Sequence, residues 1–500
     1  MGLGGGPNGA KATFKHKFAS AFRDFDTLTD ARTTVGVSRA QTLVVVDGNV
    51  LVMQTPSSVD TFAAYVGVLV NQINGAIQAG AHVVVVFDEP GAMTRAKQEE
   101  QKARDARRTP QTPVCSDDLV ACPTDDNYRK TELEATGLNV RLLINHRPAR
   151  ARFYDALCVA VLEHLRTNLR VTEGTSWSVT FDGVDGRGAD RPQGAAREVG
   201  ILSSHPEIWD AVLAREQPIG EGDLKLTDVC HRVYQQRVAH PDSPLASVLL
   251  NILWTIDTDS FLIELLQQSR REARPEAADR NELTLLCLRE PARKRKGEVV
   301  PSSAYFQCID MQSFYDEVMA YVYGANVQLG SRADFAQRKQ HTAALLAASV
   351  ALCGCDFVQV RGMRCDLVLP CVRDVARNDP AALQTMAGVF TGNAGDVRTA
   401  GDGIRAVIHN FLDSICGLGG RMNKTHDKAS AYNDLQILRA CWITSYWLGY
   451  EFKEVTNWGF CHAALDTTEG VGVEMIVPPP AAAAGTSRKR TIVAHEDEEE

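Results

Sequence analysis

Two short runs constrain this chain more than anything else in it: Thr42–Asp47 (TLVVVD) and His82–Asp88 (HVVVVFD). Each is a continuous apolar stretch, rich in valine, that ends in an acid. A parallel strand buried on both faces reads this way, because neither face alternates with polar residues. Residues 58–79, between the two runs, carry a helical pattern. Strand, helix, strand predicts a βαβ unit, and with it a mostly parallel α/β sheet flanked by helices. Ser178–Asp182 (SVTFD), Asn251–Asp257 (NILWTID) and Thr284–Leu288 read as further strands. Residues 94–107, 152–168, 224–237 and 341–353 read as helices.

The acid after the strand recurs. Asp47 and Asp88 are joined by Asp257 and Asp259 in WTIDTDSF and by Asp356 in ALCGCDF. Acids at i and i+2 on extended chain point to one side, so Asp257 and Asp259 can face one point. Glu221 and Asp223 (PIGEGDLK) share that spacing and precede a helical segment, where carboxylates are favoured. Ligand sites in open α/β sheets lie beyond the carboxyl ends of the strands. Seven carboxylates delivered to one edge would repel one another unless they held hard cations, and carboxylate oxygens suit Mg²⁺ or Mn²⁺. Two such ions about 3.5–4 Å apart can activate water for phosphodiester hydrolysis. Any one of these acids could instead be a helix N-cap or a turn former.

A basic stretch follows Asp88 directly: PGAMTRAKQEEQKARDARR. Arg95, Lys97, Gln101 and Arg104 fall near helical neighbour spacings and could converge on a phosphate, Arg as a fork and Lys as a point charge. A solvated helix with Glu–Lys pairs reads the same way. The net charge of −9 argues against a protein that coats nucleic acid non-specifically, yet leaves room for local strand binding.

The 500 residues suggest one large domain with additions, or two domains. The boundaries read as an N-terminal extension at 1–40, a nuclease-like domain at 41–375 with an insertion at 184–219, a helical region at 376–477 and a low-complexity tail at 478–500. Thirteen cysteines lie scattered without a CxxC pair, several inside apolar runs, as suits free thiols inside the cell. Arg488–Arg490 reads equally as a nuclear signal or a solvated tail, so cytoplasm and nucleus both stay open.

In order along the chain, these motifs resemble the 5′→3′ exoribonucleases of the Xrn family, within the wider flap-endonuclease and PIN-like nucleases. VVVDGN is similar to that family's first strand with its Asp-x-Asn, here Asp47 and Asn49. FDEPGAMTRAKQEEQKAR resembles its aspartate followed by a Gln- and Arg-rich helix. GEGDLK resembles Gly-Glu-Gly-Glu-His-Lys, with Asp223 in place of the second Glu. IDTDSFLI and GCDF resemble its later acidic segments, YFQCIDMQSFYDEV the stretch between them, and LRACWITSYWLGYEFKEVTNW its closing aromatic helix. The likeness runs from about 42 to 460.

The resemblance implies a PIN-like fold and Mg²⁺ or Mn²⁺, two ions, held by Asp47, Asp88, Glu221, Asp223, Asp257, Asp259 and Asp356. It implies a 5′-phosphate pocket of Arg95, Lys97, Gln101 and Arg104, and single-stranded RNA with a 5′-monophosphate as partner. The chain departs from the family at Met53, where a base-stacking His is expected, and in the 184–219 insertion. A flap-endonuclease-like DNA enzyme and a degenerate RNA-binding relative are the alternatives. Trp442, Tyr446, Trp447 and Trp458 could stack on bases, though an aromatic helix reads better as core.

Overall fold

The computed structural model describes residues 9–55, 59, 62–88, 147–168, 176–182, 200–215, 219–273, 282–290, 304–324, 331–355, 364–391, 402–415 and positions 440, 443, 444 and 447. Its strands are β1 (Phe22–Phe25), β2 (Thr42–Asp47), β3 (His82–Val86), β4 (Ser178–Asp182), β5 (Ile201–Ser203), β6 (Leu250–Thr255), β7 (Leu283–Glu290) and β8 (Tyr305–Asp310). They form one sheet in the order β1-β8-β7-β6-β2-β3-β4-β5. The inner five, β7-β6-β2-β3-β4, are parallel, while β1, β8 and β5 pair antiparallel at the margins. The expected mostly parallel α/β sheet is therefore present.

The helices are α1 (Ala10–Lys17), α2 (Leu28–Thr34), α3 (Gly48–Met53), α4 (Phe62–Ala79), α5 (Arg147–Asn168), α6 (Pro206–Leu213) and α7 (Gly222–Ala239). They continue with α8 (Asp259–Ala273), α9 (Met311–Tyr323), α10 (Arg332–Leu352), α11 (Cys365–Asn378), α12 (Pro380–Phe390) and α13 (Asp402–Ile415). Valine runs suit the inner strands because both faces are covered. Leu43 and Val45 pack with α1 and α6–α13, whereas Val44 and Val46 pack with α2–α5. Strand alternation thus sorts one apolar run into two cores.

From β2 the chain steps outward through β3 to β4, then returns to the other flank of β2 as β6 and steps outward to β7. The order reverses between β2 and β6. Such a reversal opens a crevice beyond the carboxyl ends of the two strands.

Three sequence-drawn boundaries read differently in the fold. Within the 1–40 extension, Phe14 and Phe18 sit in the core and β1 pairs with β8, because the aromatic side chains bury against α8 and α9. The 184–219 segment supplies β5 and α6, which close the β4 margin of the sheet. The 375/376 boundary falls inside α11, whose apolar side shares a core with α10 and α12. Helix α10 also starts earlier than expected, at a capping box in which Ser331 and Asp334 bond reciprocally.

Candidate metal centre

Alternation and register together set the acids. In the sheet, Val45 stands level with Val84 of β3 and Leu253 of β6. Two residues on, Asp47 is level with Val86. Two further, past the strand ends, come Asp88 on one flank of β2 and Asp257 on the other. All three keep the parity of the face that α7 covers.

Helix α7 begins over this edge. Its first residue, Gly222, donates its backbone N–H to Asp88 Oδ1 at 2.9 Å. A Cβ at 222 would stand 3.4 Å from Asp88 Oδ1 and Asn49 Nδ2, and 3.5 Å from Asp47 Oδ1. The two carboxylates therefore converge on the first residue of α7.

Asp47 is 6% exposed and caps α3, accepting the Asn49 N–H at 3.0 Å. Burial, and then the charges of Asp88 and Asp257, push its carboxyl from 3.8 up to about 7; the backbone N–H groups of Asn49 and Val50 pull the other way. On the β6 side, Asp257 accepts the Asp259 N–H at 3.1 Å, and the Ser260 hydroxyl donates to Asp223 at 3.1 Å. Ser260 thus ties the start of α7 to the start of α8. Glu221 and Asp259 are each buried on the same two helix starts.

Two other strand-end acids show what separates this set from ordinary caps. Asp310 ends β8, which runs antiparallel, so it lies at the opposite edge and caps α9 through the Ser313 N–H at 3.0 Å. Asp182 ends β4 at the same edge as Asp47 and is fully buried. Arg215 neutralises it at 2.6 Å and also reaches Asp228 at 2.5 Å. Asp47 has acids where Asp182 has an arginine.

Among the described residues, no group of three or more His, Cys, Asp and Glu side chains is gathered tightly enough to hold an ion as it stands. The fit to a cation is electrostatic instead. A carboxylate raised towards 7 by burial and then by neighbouring carboxylates would be relieved by a hard divalent ion, and the donors here are all oxygen. No family model and no curated protein matches this chain, so the family resemblance stands on its motifs alone.

Asp356 and the four basic-helix residues Arg95, Lys97, Gln101 and Arg104 lie outside the described residues. Trp447 is 2% exposed and packs with Ala440 and Ile443 in the main core, as the core reading expects of it, while Trp442, Tyr446 and Trp458 lie outside the described residues. Met53 and Ile256, 48% and 44% exposed, are large apolar side chains left open on the segments that carry Asp47 and Asp257. The sequence reading passed over Gly48, Gly222 and Ser260. Only their adjacency to the acids could have marked them.

Proposed function

We propose that the protein is a metal-dependent nuclease that hydrolyses RNA from a 5′-monophosphate end. The carrying observation is Asp47, buried at the point where the strand order reverses and pushed up towards 7 by burial and two facing acids. Asp47, Asp88, Asp223 and Asp257, with Glu221 and Asp259 beside them, would hold the ions. Bound there, divalent cations would neutralise the cluster and supply activation of water for phosphodiester hydrolysis.

The chain's own groups have separable roles in this reading. Gly222 N–H fixes the Asp88 carboxylate, and Ser260 fixes Asp223, so neither has to be ordered during turnover. Exposed Met53 and Ile256 offer apolar contact to a base beside the reacting phosphate. The preference for RNA and for a 5′-monophosphate rests on the motif resemblance.

The test is degradation of end-labelled RNA bearing 5′-monophosphate, 5′-triphosphate or 5′-hydroxyl, with and without Mg²⁺ or Mn²⁺, beside a DNA flap. Stepwise loss of nucleotides from the monophosphate end, only with metal, is the expected result. Undiminished activity in EDTA, or no cleavage of any substrate, would sink the reading; preference for the flap would move it to DNA.

A further inference from the structure

A cavity of about 860 Å³ opens between α1, the end of α9 and the first half of α11, away from the carboxylates. Its walls include Thr13, His16, Lys17, Tyr321, Arg364 and Asp366. Lys17 Nζ stands 4.5 Å from the Tyr321 ring centroid, and the Arg373 guanidinium approaches the same ring at 5.2 Å while donating to its hydroxyl at 3.3 Å. Two cations therefore share one aromatic ring; Arg373 is paired with Asp374 at 3.0 Å, which leaves Lys17, of the two, as the cation that faces the cavity. Arg364 is paired with Asp366 at 2.6 Å, but both side chains are about half exposed, and such a pair is easily opened. Lys17 has no carboxylate partner among the described residues.

Helix α1 joins this cavity to the acidic edge. Its sequence, AKATFKHK, carries four basic side chains and no acid, in a chain of net charge −9. Ala10 and Lys11 share a small gap with Thr258, the residue between Asp257 and Asp259, while Thr13 already stands in the cavity wall. At about 1.5 Å of rise per residue, the cavity begins roughly one helical turn from that edge.

We propose that this cavity is a strand-binding subsite, in which Lys17 and Arg364 contact backbone phosphates of the single-stranded nucleic acid whose reacting end lies at the carboxylates. The identity of the ligand rests on the nuclease reading; the cavity and its cations do not.

The test is anisotropy titration of a labelled single-stranded RNA, with Ca²⁺ in place of Mg²⁺, over a range of monovalent salt. The proteins compared are the wild type, Lys17→Ala/Arg364→Ala and the charge-matched Lys15→Ala/Arg23→Ala. Each phosphate contact adds about 0.7 to the log–log salt slope on a single strand. Losing two should lower the slope by about 1.4 and weaken binding about 25-fold at 0.1 M salt. The Lys15/Arg23 pair should bind nearly as the wild type does. The substituted side chains are exposed, and unchanged melts would confirm the fold. Wild-type binding with an unaltered slope in Lys17→Ala/Arg364→Ala, or an equal loss in both pairs, overturns the subsite alone. A wild type that binds no strand removes the nuclease reading and this inference together.

Discussion

Replacing Asp47 by Asn tests the acid cluster through stability rather than activity. The substitution keeps the shape and the cap, because the amide oxygen can still accept the Asn49 N–H. It removes one charge that burial and two acids oppose. The folded carboxyl, raised from 3.8 to about 7, holds its proton more tightly than the unfolded chain does. Its contribution to the fold is therefore full below pH 4 and is lost as pH rises through 7. At about 1.36 kcal/mol per pH unit, the loss begins near pH 4, grows up to pH 7 and amounts to roughly a few kcal/mol at pH 8. Urea unfolding in EDTA at the two pH values, for wild type and Asp47→Asn, isolates the group. The variant should gain on the wild type between pH 5 and pH 8, by roughly a few kcal/mol. Saturating Mn²⁺ should then stabilise the wild type, by about 2.7 kcal/mol at a hundred times its Kd, and the variant much less. A wild-type-to-variant difference that stays flat with pH to within about 0.5 kcal/mol would refute the reasoning, since it would mean that Asp47 faces solvent or a cation rather than acids.

Asp257→Asn with Asp259→Asn should lower metal-dependent hydrolysis by roughly a thousand-fold while leaving circular dichroism unchanged and melting no lower than in the wild type; retained activity would show that the ions sit elsewhere. Arg215→Met removes the guanidinium that bridges Asp182 and Asp228, both nearly inaccessible, while Arg232 still holds Asp228 at 3.0 Å, and should cost about 3–5 kcal/mol in urea unfolding. A loss below about 1 kcal/mol would mean that water replaces the guanidinium. Gly48→Ala would drive a Cβ to 2.4 Å from the ring of fully buried Phe87 and should cost about 1–3 kcal/mol, whereas Gly75→Ala, within α4 and with open space around it, should gain up to about 1 kcal/mol. Thermal melts of the two variants moving together would contradict this packing.

The sequence by itself determined the inner strands and the side on which their acids emerge. Valine runs with no polar face read as strands buried on both sides, and a period of two residues puts Val45 and Asp47, or Val86 and Asp88, on one face whatever else the chain does. The sequence also marked WTIDTDSF as a strand passing into an acidic helix start. What it left open was which acids meet. TLVVVD, SVTFD and YFQCID look alike as strings, yet Asp47 faces two acids, Asp182 an arginine, and Asp310 caps the helix that follows it. Strand order, direction and register decide that, and they follow from packing between segments up to nearly three hundred residues apart. Only the tertiary structure brought β6 back beside β2, so that Asp88 and Asp257 flank Asp47, and placed the Gly222 N–H where it donates to Asp88. The physical reason is range. Alternation acts between neighbours in the chain, whereas Coulomb repulsion and burial act through space and stay unwritten until the sheet is assembled.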